Sequence, residues 1–205
     1  MNSTDYEKFY QGHLTDFGPS AQGVGWKNDH AQMIRFEQLY KLFPKSANFS
    51  VNDLGCGVGD FIHFLNEQEG SYTYIGYDLM PTMILKAKEK YSNQKNVVFQ
   101  CIRSPKEMQF SDYTVASGIF NIRFEATDET WLSMIIETMR EMNEKSSFGF
   151  AFNVLSKYSD IEHRKKELYY ADPLYLFDYC KQHFSKNVAL LHDYDQYDFT
   201  ILIRK

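Results

Sequence analysis

From Phe49 onward the chain alternates short apolar runs with amphipathic stretches. Phe49-Ser50-Val51-Asn52-Asp53-Leu54 reads as a first strand, and a helix begins near Gly59-Asp60 with Phe61, Phe64 and Leu65 on one face. Tyr72 to Tyr77 forms a second strand ending at Asp78. Pro81 suits the first turn of the next helix, where Met80, Ile84, Ala87 and Tyr91 make one apolar stripe. Val97-Val98-Phe99 and Tyr113 to Ala116 are the third and fourth strands. Trp131 to Met142 is a helix, and Phe148 to Val154 is the fifth strand. Strands separated by helices predict an α/β, doubly wound and mostly parallel sheet.

The rhythm changes after Tyr169. Asp172-Pro173 opens a helix running towards Phe184, and two strands follow, Val188 to Leu191 and Phe199 to Ile203. The polar segment Asp193 to Asp198 between them is too short to hold a crossover helix, so these strands should pair antiparallel. The expected sheet is therefore seven-stranded, closed by a C-terminal antiparallel hairpin. Residues 1–48 precede it, with a glycine-rich loop from Gly18 to Gly25 and a helix near His30 to Phe43. They are expected to form an N-terminal lid segment on a body spanning 49–205.

Composition narrows the partners. The net charge of −5 argues against a nucleic-acid surface. The one basic run, His163-Arg164-Lys165-Lys166, reads as a solvated helix face. No stretch approaches the roughly 20 apolar residues that span a bilayer. The first 30 residues are polar, without a signal-like apolar run. Cys56, Cys101 and Cys180 have no metal-like spacing and fit free thiols, so a cytoplasmic location is expected. Aromatic residues make up 17% of the chain, enough for an aromatic core and lid.

Chemistry concentrates at Asp53-Leu54-Gly55-Cys56-Gly57-Val58-Gly59. Glycines at a strand-to-helix turn let backbone approach a ligand closely, and Asp78 ends the next strand where a ribose diol would donate two hydrogen bonds. Asp60 occupies a position where the dinucleotide fingerprint wants glycine, and Asp53 would repel a pyrophosphate. S-adenosylmethionine carries an ammonium and a sulfonium instead, which a carboxylate at Asp53 favours. The charge pattern selects that cofactor over NAD.

These residues resemble class I S-adenosylmethionine-dependent methyltransferases. Asp53-x-Gly55-x-Gly57-x-Gly59 is similar to their first motif, Gly76-Tyr77-Asp78 to their second-strand acid, and Asp112 to Gly118 to their fourth-strand segment. The resemblance implies a Rossmann-like fold with S-adenosylhomocysteine as product. It implies that Asp78 binds the ribose, that Leu79 and Met80 flank the adenine, and that the Gly55, Cys56 and Gly57 backbone holds the methionine end. Ser117 would lie at its edge, and Asp60 joins the cofactor-binding candidates. Where many members carry an acid after the third strand, this chain has Gln100-Cys101-Ile102-Arg103, so the adenine would depend on backbone groups of Cys101 and Ile102.

The acceptor is less legible. The Asn/Asp-Pro-Pro-aromatic motif of many amino-directed methyltransferases is absent from Ser117-Gly118-Ile119-Phe120-Asn121, and no set of metal ligands accompanies it. An oxygen of a small molecule is the expected acceptor, transferred to by in-line displacement. Strand ends and lid supply the candidates: Phe120, Asn121, Asn153, Tyr169 and Tyr170 for the acceptor, and Trp26 and Arg35 for the cofactor. Arg35 would pair with the cofactor carboxylate. His13, His30 and Asn121 are the catalytic candidates, with His192 a further base to test. A non-catalytic cofactor-binding partner subunit and a nicotinamide-dependent oxidoreductase stay open as alternatives.

Overall fold

A computed structural model describes residues 3–18, 20–24, 28–45 and 48–205. Seven strands form one sheet in the order β3-β2-β1-β4-β5-β7-β6. They are β1 (Asn48–Leu54), β2 (Ser71–Asp78), β3 (Val97–Cys101), β4 (Ser111–Ala116), β5 (Ser146–Leu155), β6 (Asn187–Leu191) and β7 (Asp198–Arg204). The first five strands pair in parallel, while β7 lies antiparallel between β5 and β6. The short segment 192–197 permits nothing else, as its length predicts.

The helices are α1 (Ser3–Phe17), α2 (Asp29–Tyr40), α3 (Asp60–Asn66), α4 (Pro81–Lys90), α5 (Asp128–Glu144) and α6 (Pro173–His183). Alternation along each strand sorts them to two faces. Phe150, Phe152 and Val154 of β5 meet Trp131, Ile135 and Met139 of α5 and Leu176 of α6. Phe49 and Val51 of β1 meet Phe36 and Leu39 of α2, Phe61 and Ile62 of α3, and Ile84 of α4. Side chains set the helix starts. Asn28 accepts the Ala31 N–H at 2.9 Å, and Asp172 accepts the Leu174 N–H at 3.0 Å ahead of Pro173.

Two features depart from the sequence reading. α1 is a helix within a segment where only the helix after His30 was expected. The run His163 to Lys166 is no helix face: a 3-10 turn ends at His163, and Arg164 onward is irregular. The side chain of Arg164 bonds the backbone carbonyls of Ser159 and Lys157, which competes with helix formation.

One buried ion pair fastens α2 to the sheet. Arg35 Nε lies 2.5 Å from Asp198 Oδ2, and its Nη2 donates to Oδ1 at 2.8 Å. Asp198 is wholly buried, so removing its partner leaves an uncompensated charge. Arg35→Met should lower the unfolding free energy by about 3 kcal/mol in urea titrations. Adding Asp198→Asn should recover much of that loss; a single variant as stable as the wild type would contradict it.

Candidate active site

The sheet order reverses between β1 and β4, so a crevice opens beyond their carboxyl ends. The glycine turn after β1 forms its floor. Gly55 has φ +77°, and a Cβ there would stand 2.1 Å from Ile119 Cγ2 in the loop after β4. Only glycine fits that approach. The Tyr77 carbonyl accepts the Gly55 N–H at 2.7 Å and the Cys56 N–H at 2.9 Å, which draws the turn against β2.

Asp78 locks this arrangement. Its Oδ2 accepts the Gly57 N–H at 2.9 Å, and its Oδ1 accepts the Met80 N–H at 2.8 Å. Burial raises its carboxyl above the ordinary value, and the backbone N–H bonds oppose that rise. The Leu79 N–H also faces this carboxylate, and four lone-pair directions in all leave room for a hydroxyl donor. Asp53 lies buried on the α2–α4 face, and Tyr74 donates its hydroxyl to Asp53 Oδ2 at 2.6 Å. Burial foremost, with the nearby charges of Asp78 and Asp60, pushes the Asp53 carboxyl up to about 7; the Tyr74 hydrogen bond acts the other way. Asp60 turns towards neighbouring helices, taking Lys90 Nζ at 2.6 Å and Gln32 Nε2 at 3.3 Å.

At the proposed adenine end, Met80 is buried and Leu79 is 40% exposed. The Ile102 N–H is spent on the Asp78 carbonyl at 3.0 Å, and Cys101 Sγ lies 3.5 Å from the Leu79 carbonyl. After β4, buried Asn153 organises the loop, since its Oδ1 accepts the Gly118 N–H at 2.7 Å and its Nδ2 donates to Ser117 Oγ at 3.1 Å. Phe120 is fully buried against Phe152, and its carbonyl accepts Trp131 Nε1–H at 2.8 Å. Asn121 Oδ1 accepts the Leu155 N–H at 3.0 Å, while its carbonyl accepts the Tyr169 N–H at 2.8 Å. Tyr169 is buried, and the Tyr170 hydroxyl accepts the Lys165 N–H at 2.9 Å.

The remaining expected residues scatter. Arg35 spends its donors on Asp198, Gln196 and the Ala31 carbonyl, which leaves at most one for another partner. His30 and His192 are exposed. His13 sits between the rings of Phe9 and Phe17, and its Nδ1 is buried with no hydrogen-bond partner among the described residues. Trp26 lies outside the described residues.

The N-terminal segment was expected as a lid, but not the helix α1 that supplies the cover. Leu14 and Tyr10 of α1 pack with Val58, Met80 and Met83, and Val24 comes close to Gly57. Burial, with the Asp78 charge beside it, raises the Tyr10 phenol far above its usual value. The signal was present: Tyr6, Phe9, Tyr10, His13, Leu14 and Phe17 recur with helical spacing.

Comparison with known proteins identifies the family and the fold. A model of the methyltransferase domain family matches residues 51–145. The chain is 46% identical over 158 residues to "Putative methyltransferase Rv1506c" of Mycobacterium tuberculosis, covering 77% of this chain and 93% of that protein. It is 32% identical over 95 residues to a carboxy-S-adenosyl-L-methionine synthase of Helicobacter pylori, covering 46% of this chain and 37% of the synthase. Among solved structures, magnesium protoporphyrin IX methyltransferase from Synechocystis PCC 6803, with S-adenosylhomocysteine bound, shares the fold at TM-score 0.69 and 13% identity, with both chains covered fully. The chain belongs to the class I S-adenosylmethionine-dependent methyltransferases, and S-adenosylmethionine is its methyl donor.

Proposed function

We propose that this enzyme methylates an oxygen of a small molecule in the crevice between the glycine turn, α1 and the loop after β4. The observation that carries the reading is the state of the β4 end. An amine acceptor needs hydrogen-bond acceptors to orient its N–H groups. Here the Phe120 carbonyl, the Asn121 carbonyl and Asn121 Oδ1 each take one donor, from Trp131, Tyr169 and Leu155, which leaves each a single lone-pair direction for an N–H. An oxygen acceptor has less need of them. α1 supports a small acceptor, because Tyr10 and Leu14 roof the turn and Phe9 approaches Phe124 beyond it.

When bound, S-adenosylmethionine supplies an electrophilic methyl on a sulfonium. In this reading Asp78 would hold the ribose hydroxyls, Leu79, Met80, Cys101 and Ile102 would surround the adenine, and Asp53 with the Gly55–Gly57 backbone would face the methionine end. Ser117, fixed by Asn153, would lie beside it. Asn121, Tyr169 and Tyr170 would line the acceptor side, with Phe120 anchoring the loop. The chain's contribution is alignment and exclusion of water, with α1 as lid. An acid oxygen arrives ionised and needs no base. For a hydroxyl, the unpartnered Nδ1 of His13 is the candidate proton acceptor.

Asp78→Ala should weaken S-adenosylhomocysteine binding by roughly 2–4 kcal/mol in calorimetry, the worth of hydrogen bonds to a charged acceptor. Unchanged affinity would overturn the ribose assignment.

Asp53 adds a pH dependence. Its folded value of about 7 exceeds the ordinary carboxyl value of 3.8, so the folded free protein holds this proton between them. By linkage, this group's contribution to stability declines as pH rises through that window. A cationic ligand favours the ionised form and so expels the proton. S-adenosylmethionine affinity should therefore fall as pH drops below about 7, with proton release visible in buffers of different ionisation heat. Asp53→Asn should abolish both effects; an unaltered pH profile in that variant would assign them elsewhere.

A further inference from the structure

Arg164, Lys165 and Lys166 follow β5 in succession, and with Arg123 from the loop after β4 they line a cleft of about 350 Å³. Asp128, Leu168 and Tyr170 complete its wall, so the lining carries four cations and one carboxylate. Both guanidinium groups are held by neutral carbonyls. Arg123 Nε donates to the Leu168 carbonyl at 3.2 Å and Nη1 to the Ala126 carbonyl. Arg164 Nε donates to the Ser159 carbonyl at 3.2 Å and Nη2 to the Lys157 carbonyl, with the group 5.3 Å from the centre of the Tyr170 ring. These bonds fix the positions of the charges without neutralising them.

The carboxylates nearby do little to compensate. Asp128 stands 3.4 Å from Arg123 Nε and Glu125 3.8 Å from Lys166 Nζ, and both acids are largely exposed. Among the described residues, no carboxylate forms an ion pair with Arg164 or Lys165. The chain as a whole is acidic, so this concentration of cations, two of them held in place, is local. Planar guanidinium groups match carboxylate and phosphate oxygens.

Its place in the fold connects it to the crevice. Ile119, which touches the Gly55 turn, and Arg123 belong to one short loop. Its far end is stitched to the segment after Lys166 by the Arg123 and Phe124 N–H groups, which donate to the Glu167 carbonyl at 2.9 and 3.1 Å. We propose that this cleft binds a carboxylate or phosphate group, the acidic end of the methyl acceptor. The second half of that statement rests on the proposed function above.

The test titrates the chain, saturated with S-adenosylhomocysteine, with inorganic phosphate and separately with acetate, using sodium chloride as control. The amide resonances of Leu168 and Tyr170 are followed by NMR. A saturable shift with phosphate, acetate or both is expected, and it identifies the anion preferred. Arg164→Gln with Lys165→Gln should weaken it at least about tenfold while leaving S-adenosylhomocysteine affinity unchanged. Arg164→Lys, which keeps the charge and guards against a folding defect, should retain part of it. No shift with either anion, or a shift equal to that of chloride or unaltered in the double variant, would overturn the pocket.

A second arm tests the acceptor. Isotopically labelled methyl transfer into a small-molecule cell extract should disappear once the extract has passed over an anion exchanger. Full transfer in the flow-through would overturn the acidic acceptor. Absence of transfer in untreated extract would count against the proposed function, while the anion titration still decides the pocket.

Discussion

The carboxylate of Asp78 joins the two turns between which the active-site crevice is built. One oxygen takes the Gly57 N–H from the turn after β1, and the other takes the Met80 N–H at the start of α4. Charge-assisted bonds of this kind contribute about 1.5–3 kcal/mol each, so the clamp resists the separation of β1 from α4. The Tyr77 carbonyl adds two more bonds to the glycine turn from the preceding residue. Gly55 can then press against Ile119, which brings the loop after β4 to the floor of the crevice. The glycine turn, the start of α4 and the loop after β4 thus meet at the end of β2.

Around that clamp the electrostatics are one-sided. Asp53 and Asp78 are both buried enough for their carboxyls to rise, and each lies in the field of other acids or of backbone dipoles. Asp60 is offset by Lys90, but no lysine or arginine pairs with Asp53 or Asp78 among the described residues. A diphosphate would meet repulsion in such a place, whereas an ammonium or sulfonium would relieve it. A cluster of cations, Arg123 and Arg164 to Lys166, lies instead beyond the loop after β4. Opposite charge preferences at the two ends of one loop suit a positively charged donor and an acidic acceptor.

The sheet was legible because its information is local. Apolar runs of strand length, Pro81 and Pro173 at helix starts, and the brief link before Phe199 fix elements and their direction without tertiary knowledge. The positions of the glycine turn and Asp78 were legible for the same reason, since both lie at the ends of strands the sequence marks. Pairings across the chain were not. Arg35 was read as a cofactor contact, yet its guanidinium meets Asp198, which only the completed sheet brings near. Asn153 reads as a strand-end polar group, and only the β4–β5 pairing makes it the organiser of Ser117 and Gly118. The run after His163 looked helical by composition, but its arginine finds backbone acceptors and the chain stays irregular. α1 carried an apolar stripe that the glycines and polar residues around it obscured.

This crevice is built for S-adenosylmethionine and its demethylated product, and not for a dinucleotide. Titration calorimetry of the whole chain with S-adenosylhomocysteine and, separately, with NADH tests this most directly. Saturable one-to-one binding of S-adenosylhomocysteine in the micromolar range is expected, with no binding of NADH under the same conditions. Tight NADH binding with no heat from S-adenosylhomocysteine would contradict it.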